Sequence, residues 1–530
     1  GSSIFKKINI ILIFSLVANF TFSQNTVIVP FDWSGHNGIF VKEGNLFSNQ
    51  SWYSGVLAFD GTYASYPMRY GGHSSNAEII EIGQMPKFRS LPDSIKVNSF
   101  FDYYRGDYGL DILDLGIRYN TKNQIINVSG FKRSAQGNYG HYIHPTKNSG
   151  PIHQSYRIDY SKKNVNDRIE VSAARFISSS GVPDVAQNGF ENDNIVSSGI
   201  KYEKNFQNWK MNSYLSQFAQ NRNLMHSLSG DSISRFINRN QLELQLTNLD
   251  GYEFGVIQKS QLFNGGSNLR SIAISSFYVQ KYFTDVSIMT GIQLSNNEIY
   301  QPYTFLVNYQ NNSNIGEFNL SVSSEAQPAH PDVNKSFYNE LETKQKSFIS
   351  YKILRNKLSL DSYFSALRIS AKNLYNYSIN LFGFNLVYRF NRSWSIYSKS
   401  ILPAISTEEN VFGSIYNTGL KGGFSIFQKN MHINFHIWQD SFRNKKNSFS
   451  YDPFLQYYSR SREADFEIGN RNLIHFEVKS NISGVLLHYR VYNLLNALGI
   501  DNTDSFFKPN AIYPELGRMI QFGVTWHFDN

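Results

Sequence analysis

From about Lys96 onward one pattern recurs along the chain. Segments of about 9–14 residues alternate apolar and polar side chains, with turn residues between them. Successive side chains of a strand point to opposite faces, so each segment reads as a strand with one greasy and one polar face. Met431, Ile433, Phe435 and Ile437 alternate with His432, Asn434, His436 and Asp440. Leu242, Leu244 and Leu246 alternate with Gln241, Glu243, Gln245 and Thr247. Leu113, Leu115 and Ile117 alternate with Asp114, Gly116 and Arg118, and Ile474, Phe476 and Val478 with His475, Glu477 and Lys479.

A sheet exposing that much apolar area aggregates in water unless lipid covers it. The polar face is also unlike that of a soluble sandwich, which is rich in Lys and Glu. Here it mixes Asn, Gln, Ser, His, Arg and Glu, as a wet lumen would. Charged residues are 17% of the chain, against about 25% in an average soluble domain. Aromatics reach 15%, with 42 Phe and 34 Tyr, which excludes a disordered chain. No run of about 20 apolar residues follows the first 23, so a helical membrane protein is excluded too. The chain has no cysteine, so disulfides, thiolate metal sites and a cysteine nucleophile are absent. The net charge of +9 is spread along the chain without a Lys/Arg cluster, and nucleic acid is not an expected partner.

Residues 1–23 read as an export signal. Lys6 and Lys7 precede an apolar stretch from Ile8 to Phe20, too short to span a bilayer comfortably, and Thr21 and Ser23 are small residues before a cut. Residues 24–95 read as an N-terminal segment that supplies early strands, such as Trp52–Phe59, or folds into the lumen. Residues 96–530 read as the barrel.

Short turns separate many strands, at 120–123, 205–208, 248–251, 355–357 and 390–393. Longer connections rich in Asn, Ser, Gly and Pro alternate with them, at 134–151, 178–194, 221–233, 326–342 and 496–515. That asymmetry is expected of an outer-membrane barrel, as are apolar faces that begin or end in Tyr, Phe or Trp. The expected fold is all-β: a transmembrane antiparallel β-barrel of about 20–22 strands, an even number. Closure leaves no sheet edge unpaired in hydrocarbon. A barrel this wide encloses a channel or needs a plug.

The carboxyl end carries a family resemblance. Met519 to Asn530 is an alternating aromatic strand that closes in Phe528, followed by Asp529 and Asn530. Upstream stand Val491-Tyr492-Asn493-Leu494-Leu495-Asn496 and Tyr513-Pro514-Glu515-Leu516-Gly517-Arg518. Together these resemble the final hairpin of TonB-dependent receptor barrels. The segment Asn25-Thr26-Val27-Ile28-Val29-Pro30 has a faint likeness to the short segment that engages TonB. The family's plug spans roughly 120–150 residues, while only about 70 lie between Gln24 and Lys96. The resemblance therefore implies a plug-less relative, a porin of the type found in Bacteroidetes.

The candidate lumen-lining residues are Arg118, Glu243, Arg389, His432, His436, His475, Glu477, Lys479, His488 and Arg490, with Lys201, Glu203 and Lys399 as further inward charges. Rings of such charges select ions or steer substrates. His432 and His436 share a face but stand about 13 Å apart along a strand, too far for one metal ion. Ser229-Gly230-Asp231-Ser232 lacks the strand-turn-helix setting of a hydrolase nucleophile, so no enzyme, metal or cofactor is expected. The expected function is passage of small solutes through a polar lumen. The alternatives are energised uptake of TonB-dependent type and a non-transporting surface or secretion-assembly barrel. The expected partners are outer-membrane lipid, small solutes and, through the closing strand Ile520–Phe528, the barrel-assembly machinery. The resemblance adds TonB or a separate plug protein.

Overall fold

In the computed structural model, the described residues are 39–42, 45–48 and 96–529, less 135–142, 150–151, 182–187, 228–231, 266–268, 296–297, 301–304, 314–315, 329–340, 372–374, 405–412, 429, 447–450, 453–456, 459–466 and 499–517. The alternating segments form one antiparallel wall. Its first strands are β1 (Val97–Gly106), β2 (Asp111–Asn120), β3 (Gln124–Ser134), β4 (Ile152–Lys163), β5 (Asp167–Gly181), β6 (Phe190–Asn205), β7 (Trp209–Met225) and β8 (Ile233–Asn248). They continue as β9 (Tyr252–Asn264), β10 (Leu269–Tyr282), β11 (Val286–Ser295), β12 in two pieces (Glu298–Tyr300 and Phe305–Asn312), β13 (Glu317–Pro328), β14 (Leu341–Leu354) and β15 (Leu358–Ala371). The last are β16 (Tyr375–Arg389), β17 (Ser395–Pro403), β18 (Ser414–Ile426), β19 (Met431–Lys446), β20 (Glu467–Ile482), β21 (Val485–Tyr492) and β22 (Met519–Asp529). Each strand pairs with the next, and β22 returns to β1, so 22 strands close into a barrel.

Register sorts the side chains. Along β8, Leu242, Leu244 and Leu246 are exposed at 40–45% while Gln241 and Glu243 are buried. The same parity holds on β2, where Leu115 and Ile117 face out and Asp114 is buried, and on β22, where Phe522 and Trp526 face out and Gln521 is buried. The outside is therefore an apolar belt. Towards the turn rim it gains exposed rings, among them Tyr119, Trp209, Tyr252, Tyr388 and Trp526. Lys281 sets its ammonium 3.6 Å from the Tyr252 ring centre, an arrangement suited to the lipid–water boundary.

One rim carries tight turns, at 121–123, 164–166, 206–208, 249–251, 355–357 and 483–484. Their hydrogen bonds are local: Thr121 N–H donates to Gln124 O at 2.8 Å, and Phe206 N–H to Trp209 O at 2.7 Å. Ser483 and Gly484 both have positive φ, 50° and 88°, which a two-residue hairpin needs to match the strand twist. The other rim carries the long connections, including 404–413 and 493–518.

The strands run further into two connections than the hydropathy pattern indicates. β5 continues to Gly181, β6 begins at Phe190 and β7 continues to Met225, so the expected connections 178–194 and 221–233 are shorter. The pairs Ser179↔Asn192 and Asn194↔Asn221 explain why. There the outward face is polar as well, as befits wall standing above the lipid. Alternation vanishes from the sequence while backbone pairing continues. The inward face of the same extension holds Arg222, buried between Glu191 (2.8 Å) and Asp193.

Beyond Phe305↔Ser324, the last described pair of β12 with β13, the Gln293 amide, pointing inward from β11, donates to Ala326 O at 3.1 Å and accepts from Ala326 N–H at 2.9 Å. Ala326 packs with Ile272 and Ile274 of β10 and with Leu341, and Glu325 reaches Lys259 of β9 at 3.4 Å. The top of β13 therefore leans inward across β9–β11.

The proposed early strand Trp52–Phe59, the export signal and the question of a plug lie outside the described residues. Within residues 24–95 the described part is a hairpin, Ile39–Lys42 with Asn45–Ser48, whose second strand touches β15.

The belt makes a direct prediction. Leu244→Arg puts a cation on the lipid face and should lower folding stability in vesicles by about 2–4 kcal/mol. Gln245→Arg, one residue along and facing inward, should cost far less. Urea titration of the vesicle-inserted protein measures both, and equal losses would contradict the assigned parity.

Candidate functional site on the inner wall

The inner face of β16–β22 gathers most of the candidate residues because cross-strand register aligns them in rungs. One rung runs Arg389, Ser395, Lys421, His436, Glu477, Arg490, Gln521. The rung nearer the turns runs Asn434, Lys479, His488, Gly523, Tyr104. The rung on the loop side runs Tyr397, Gly419, Trp438, His475, and beyond it Lys399, Asn417, Asp440, Leu473. His432 lies lower, opposite Ser425. Two candidates stand apart. Arg118 on β2 donates to Asn127 Oδ1 at 2.7 Å. Glu243 on β8 accepts from Gln245, whose amide also donates to Tyr278 Oη at 2.9 Å.

Glu477 anchors the cluster. Its Oε1 accepts from Arg490 Nε, and its Oε2 lies 3.3 Å from Lys479 Nζ. The Arg490 guanidinium stacks 4.6 Å from the centre of the Tyr104 ring. Arg490 is buried, so Glu477 supplies the charge that makes its burial tolerable.

Hydrogen bonding fixes the histidine tautomers. Thr525 Oγ1 donates to Asp102 Oδ1 at 2.6 Å, so its lone pair takes Nε2–H of His488 at 2.9 Å. Asn493 N–H donates to Nδ1 of His475 at 3.0 Å, which leaves the proton on Nε2, 3.2 Å from Asp440 Oδ2. His436 meets Tyr397 Oη through Nε2 at 2.8 Å and stacks on Trp438 with ring centres 4.3 Å apart. His432 bridges Ser425 Oγ (2.9 Å) and Asn434 Oδ1 (3.1 Å). That chain superficially suits a nucleophile, but a neutral amide supplies no charge to stabilise an imidazolium. The arrangement therefore positions donors and charges along a wall.

A recurrent device lets these side chains lie flat. Tyr104 lies across Gly523, Tyr278 across Gly255, Tyr363 across Gly383 and Tyr397 across Gly419. A Cβ at Gly419 would stand 2.7 Å from Tyr397 Oη and 2.8 Å from Trp438 Cβ. With no Cβ in the way, each ring crosses its neighbour strand. The hydroxyls of Tyr397 and Tyr278 then reach the strand beyond, to His436 and Gln245.

The carboxyl-terminal motif also acquires physical content. Asn493 takes positive φ, 54°, a conformation that Asn tolerates better than most residues. It turns the chain off β21 into the short helix Leu494–Ala497. Asn496 Oδ1 accepts Arg518 N–H at 2.9 Å, tying the start of the loop to its end. Asp107 then accepts Ile520 N–H at 3.0 Å and lies 3.6 Å from Arg518 Nε.

Lys421, Tyr397, Trp438, Tyr104 and Asp102 escaped the sequence reading as site members. Lys421 sits in the run Gly419-Leu420-Lys421-Gly422-Gly423, where glycines blank out alternation. The rings look like girdle residues until register shows them facing inward.

No family model matches the chain, and no curated protein sequence matches it. Solved structures do. The FrpB iron transporter of Neisseria meningitidis (F3-3 variant) aligns with TM-score 0.60 at 9% identity, over 82% of this chain and 81% of that one. The ferric yersiniabactin uptake receptor FyuA of Yersinia pestis aligns with TM-score 0.56 at 9% identity, over 83% and 81%. The copper transporter OprC aligns with TM-score 0.57 at 9% identity, over 84% and 82%. At such identity the likeness establishes the fold, a receptor-type barrel, as the carboxyl-terminal hairpin leads one to expect.

Arg490→Met should destabilise the barrel by about 3–5 kcal/mol, because it leaves Glu477 in the wall with its main partner gone. Glu477→Gln combined with Arg490→Met should recover most of that loss. The temperature at which the folded band disappears in gel electrophoresis reads both. A double variant no better than the single would show that the ion pair is not what holds this rung.

Proposed function

We propose that the chain is an outer-membrane uptake barrel of the TonB-dependent receptor type, carrying a small solute inward through its lumen. The observation that carries this reading is the likeness to iron and copper transporters and a ferric yersiniabactin uptake receptor over about four-fifths of each chain. The apolar belt and aromatic rim favour an outer-membrane location, with lipid around the barrel.

Energised uptake is preferred over passive diffusion for a second reason. Inward-facing side chains such as Ile369, Leu381, Leu473, His475 and Gln521 have no exposed surface. A barrel of this strand number left open would expose its inner side chains to a column of water. The hairpin at 39–48 that touches β15 supports residues 24–95 as the lumen insert, with TonB or a plug protein as the partner that moves it. The candidate residues of the inner wall then line the solute's path.

Planar-bilayer recording of the detergent-purified protein tests the reading. Folded, inserted protein should give no steady openings at rest. Steady large openings would overturn energised uptake and restore a passive porin. A reversal potential under a salt gradient would then report its charge preference.

A further inference from the structure

Two lysines of the inner wall stand near one another, Lys399 exposed to the lumen and Lys421 half-buried. Lys399 on β17 and Lys421 on β18 face the lumen on either side of Tyr397 and Gly419. Neither forms an ion pair with a carboxylate among the described residues. Each instead approaches the Tyr397 ring, Lys421 Nζ at 5.2 Å and Lys399 Nζ at 5.9 Å from its centre. The two ammonium groups are therefore at most about 11 Å apart.

The neighbouring carboxylates are already engaged. In the rung of Lys399, Asp440 takes Asn417 Nδ2 on Oδ1 and faces His475 Nε2 with Oδ2. In the rung of Lys421, Glu477 takes Arg490 on Oε1 and Lys479 on Oε2. All four oxygens have other partners. A ring quadrupole offers a lysine about 0.5–2 kcal/mol and no neutralising charge. Two cations thus flank one aromatic ring, which itself meets the His436–Trp438 stack.

We infer that Lys399 and Lys421 form an anion-binding subsite, made for an organic polyanion that presents carboxylates to both ammonium groups while its carbon skeleton rests on Tyr397. The subsite names the solute class for the lumen path proposed above and rests on that path being open to solute. Asn417 lies cross-strand from Lys399 as a neutral neighbour, its amide already donating to Asp440. The cluster Lys479–Glu477–Arg490, two cations to one carboxylate, borders it and keeps a net positive charge beside it.

Isothermal titration of the full chain in neutral detergent tests the inference, with citrate as the probe, inorganic phosphate as the compact anion and glucose as the neutral control. Citrate should bind at low salt and weaken as ionic strength screens the lysines. Glucose should give no heat. Phosphate, too small to span both groups, should bind more weakly than citrate. Lys399→Gln with Lys421→Gln should weaken citrate by at least about tenfold, since both charges stop contributing.

Should that variant fail to fold, the wild-type salt dependence decides. Citrate affinity that does not change with salt overturns the subsite, and so does absence of citrate binding by folded protein. Phosphate binding as tightly as citrate overturns the two-point polyanion. The titration needs no transport, so the two readings fail separately. Lysine-dependent binding in a steadily conducting barrel leaves the subsite standing and removes energised uptake. No binding in a silent barrel does the reverse.

Discussion

Everything in this molecule depends on β22 finding β1. In hydrocarbon an unpaired backbone N–H or C=O costs several kcal/mol, so a sheet of 22 strands left open there would strand a row of such groups along each edge. The pairs Gln521↔Gly106 through Asp529↔Asn98 remove both edges at once. The closing ends are also joined by side chains. Asp107, in the turn after β1, accepts Ile520 N–H and reaches Arg518, while Asn496 holds the backbone of Arg518 from the far side of the long loop. Residues more than 400 positions apart in sequence are thereby held in register. The motif around Asn493, Asn496 and Arg518 is best understood as the fastener of the barrel.

Once the wall is closed, the period of two does the rest. A closed sheet has an inside and an outside, and a single register assigns every side chain to one of them. The outside needs only apolar bulk. The inside must satisfy charges, and it does so by rung: an ion carried by one strand meets its partner on the next, as Glu477 meets Arg490 or Asp193 meets Arg222. The Tyr-over-Gly pairs extend that reach across three strands. They explain why glycine stands in mid-strand, where it otherwise weakens a sheet.

Much of this was legible in the sequence. The alternation of Leu242, Leu244 and Leu246 with Gln241, Glu243 and Gln245 fixed both strand and parity, and that parity puts Glu243 on the inner face. The same logic placed His436, His475, Glu477, Lys479, His488 and Arg490 on one face, although it could not say that they share a patch. Register between strands is set by turn geometry and by bulges, and these leave little trace in hydropathy. Where both faces are polar, as at Asn192 and Asn221, the pattern fell silent and strand was mistaken for loop. Where glycines interrupt it, as around Lys421, a site member was missed. The inward lean of β13 was illegible for a different reason. It depends on one glutamine amide meeting a backbone 33 residues away, a tertiary event with no local signature.

The position of the basic patch bears on what it can do. Lys421 pairs with Ser395, the first residue of β17, and Lys479 and Arg490 lie within a few residues of the turn at 483–484. Lys421 therefore lies in the part of the lumen nearer the tight turns, with Lys399 beyond Tyr397 towards the loops. The inward lean of β13 and the salt bridge between Lys259 and Glu325 lie instead towards the long connections. A solute arriving through the loops would pass the leaning strand first and meet Lys421 last. Charge placed late on such a path does not steer capture from solution, because screening confines its reach to about 10 Å. In the subsite proposed above it would hold an anion that has already entered. That would suit the proposed uptake barrel, which retains cargo until release, better than one that lets solutes diffuse freely through.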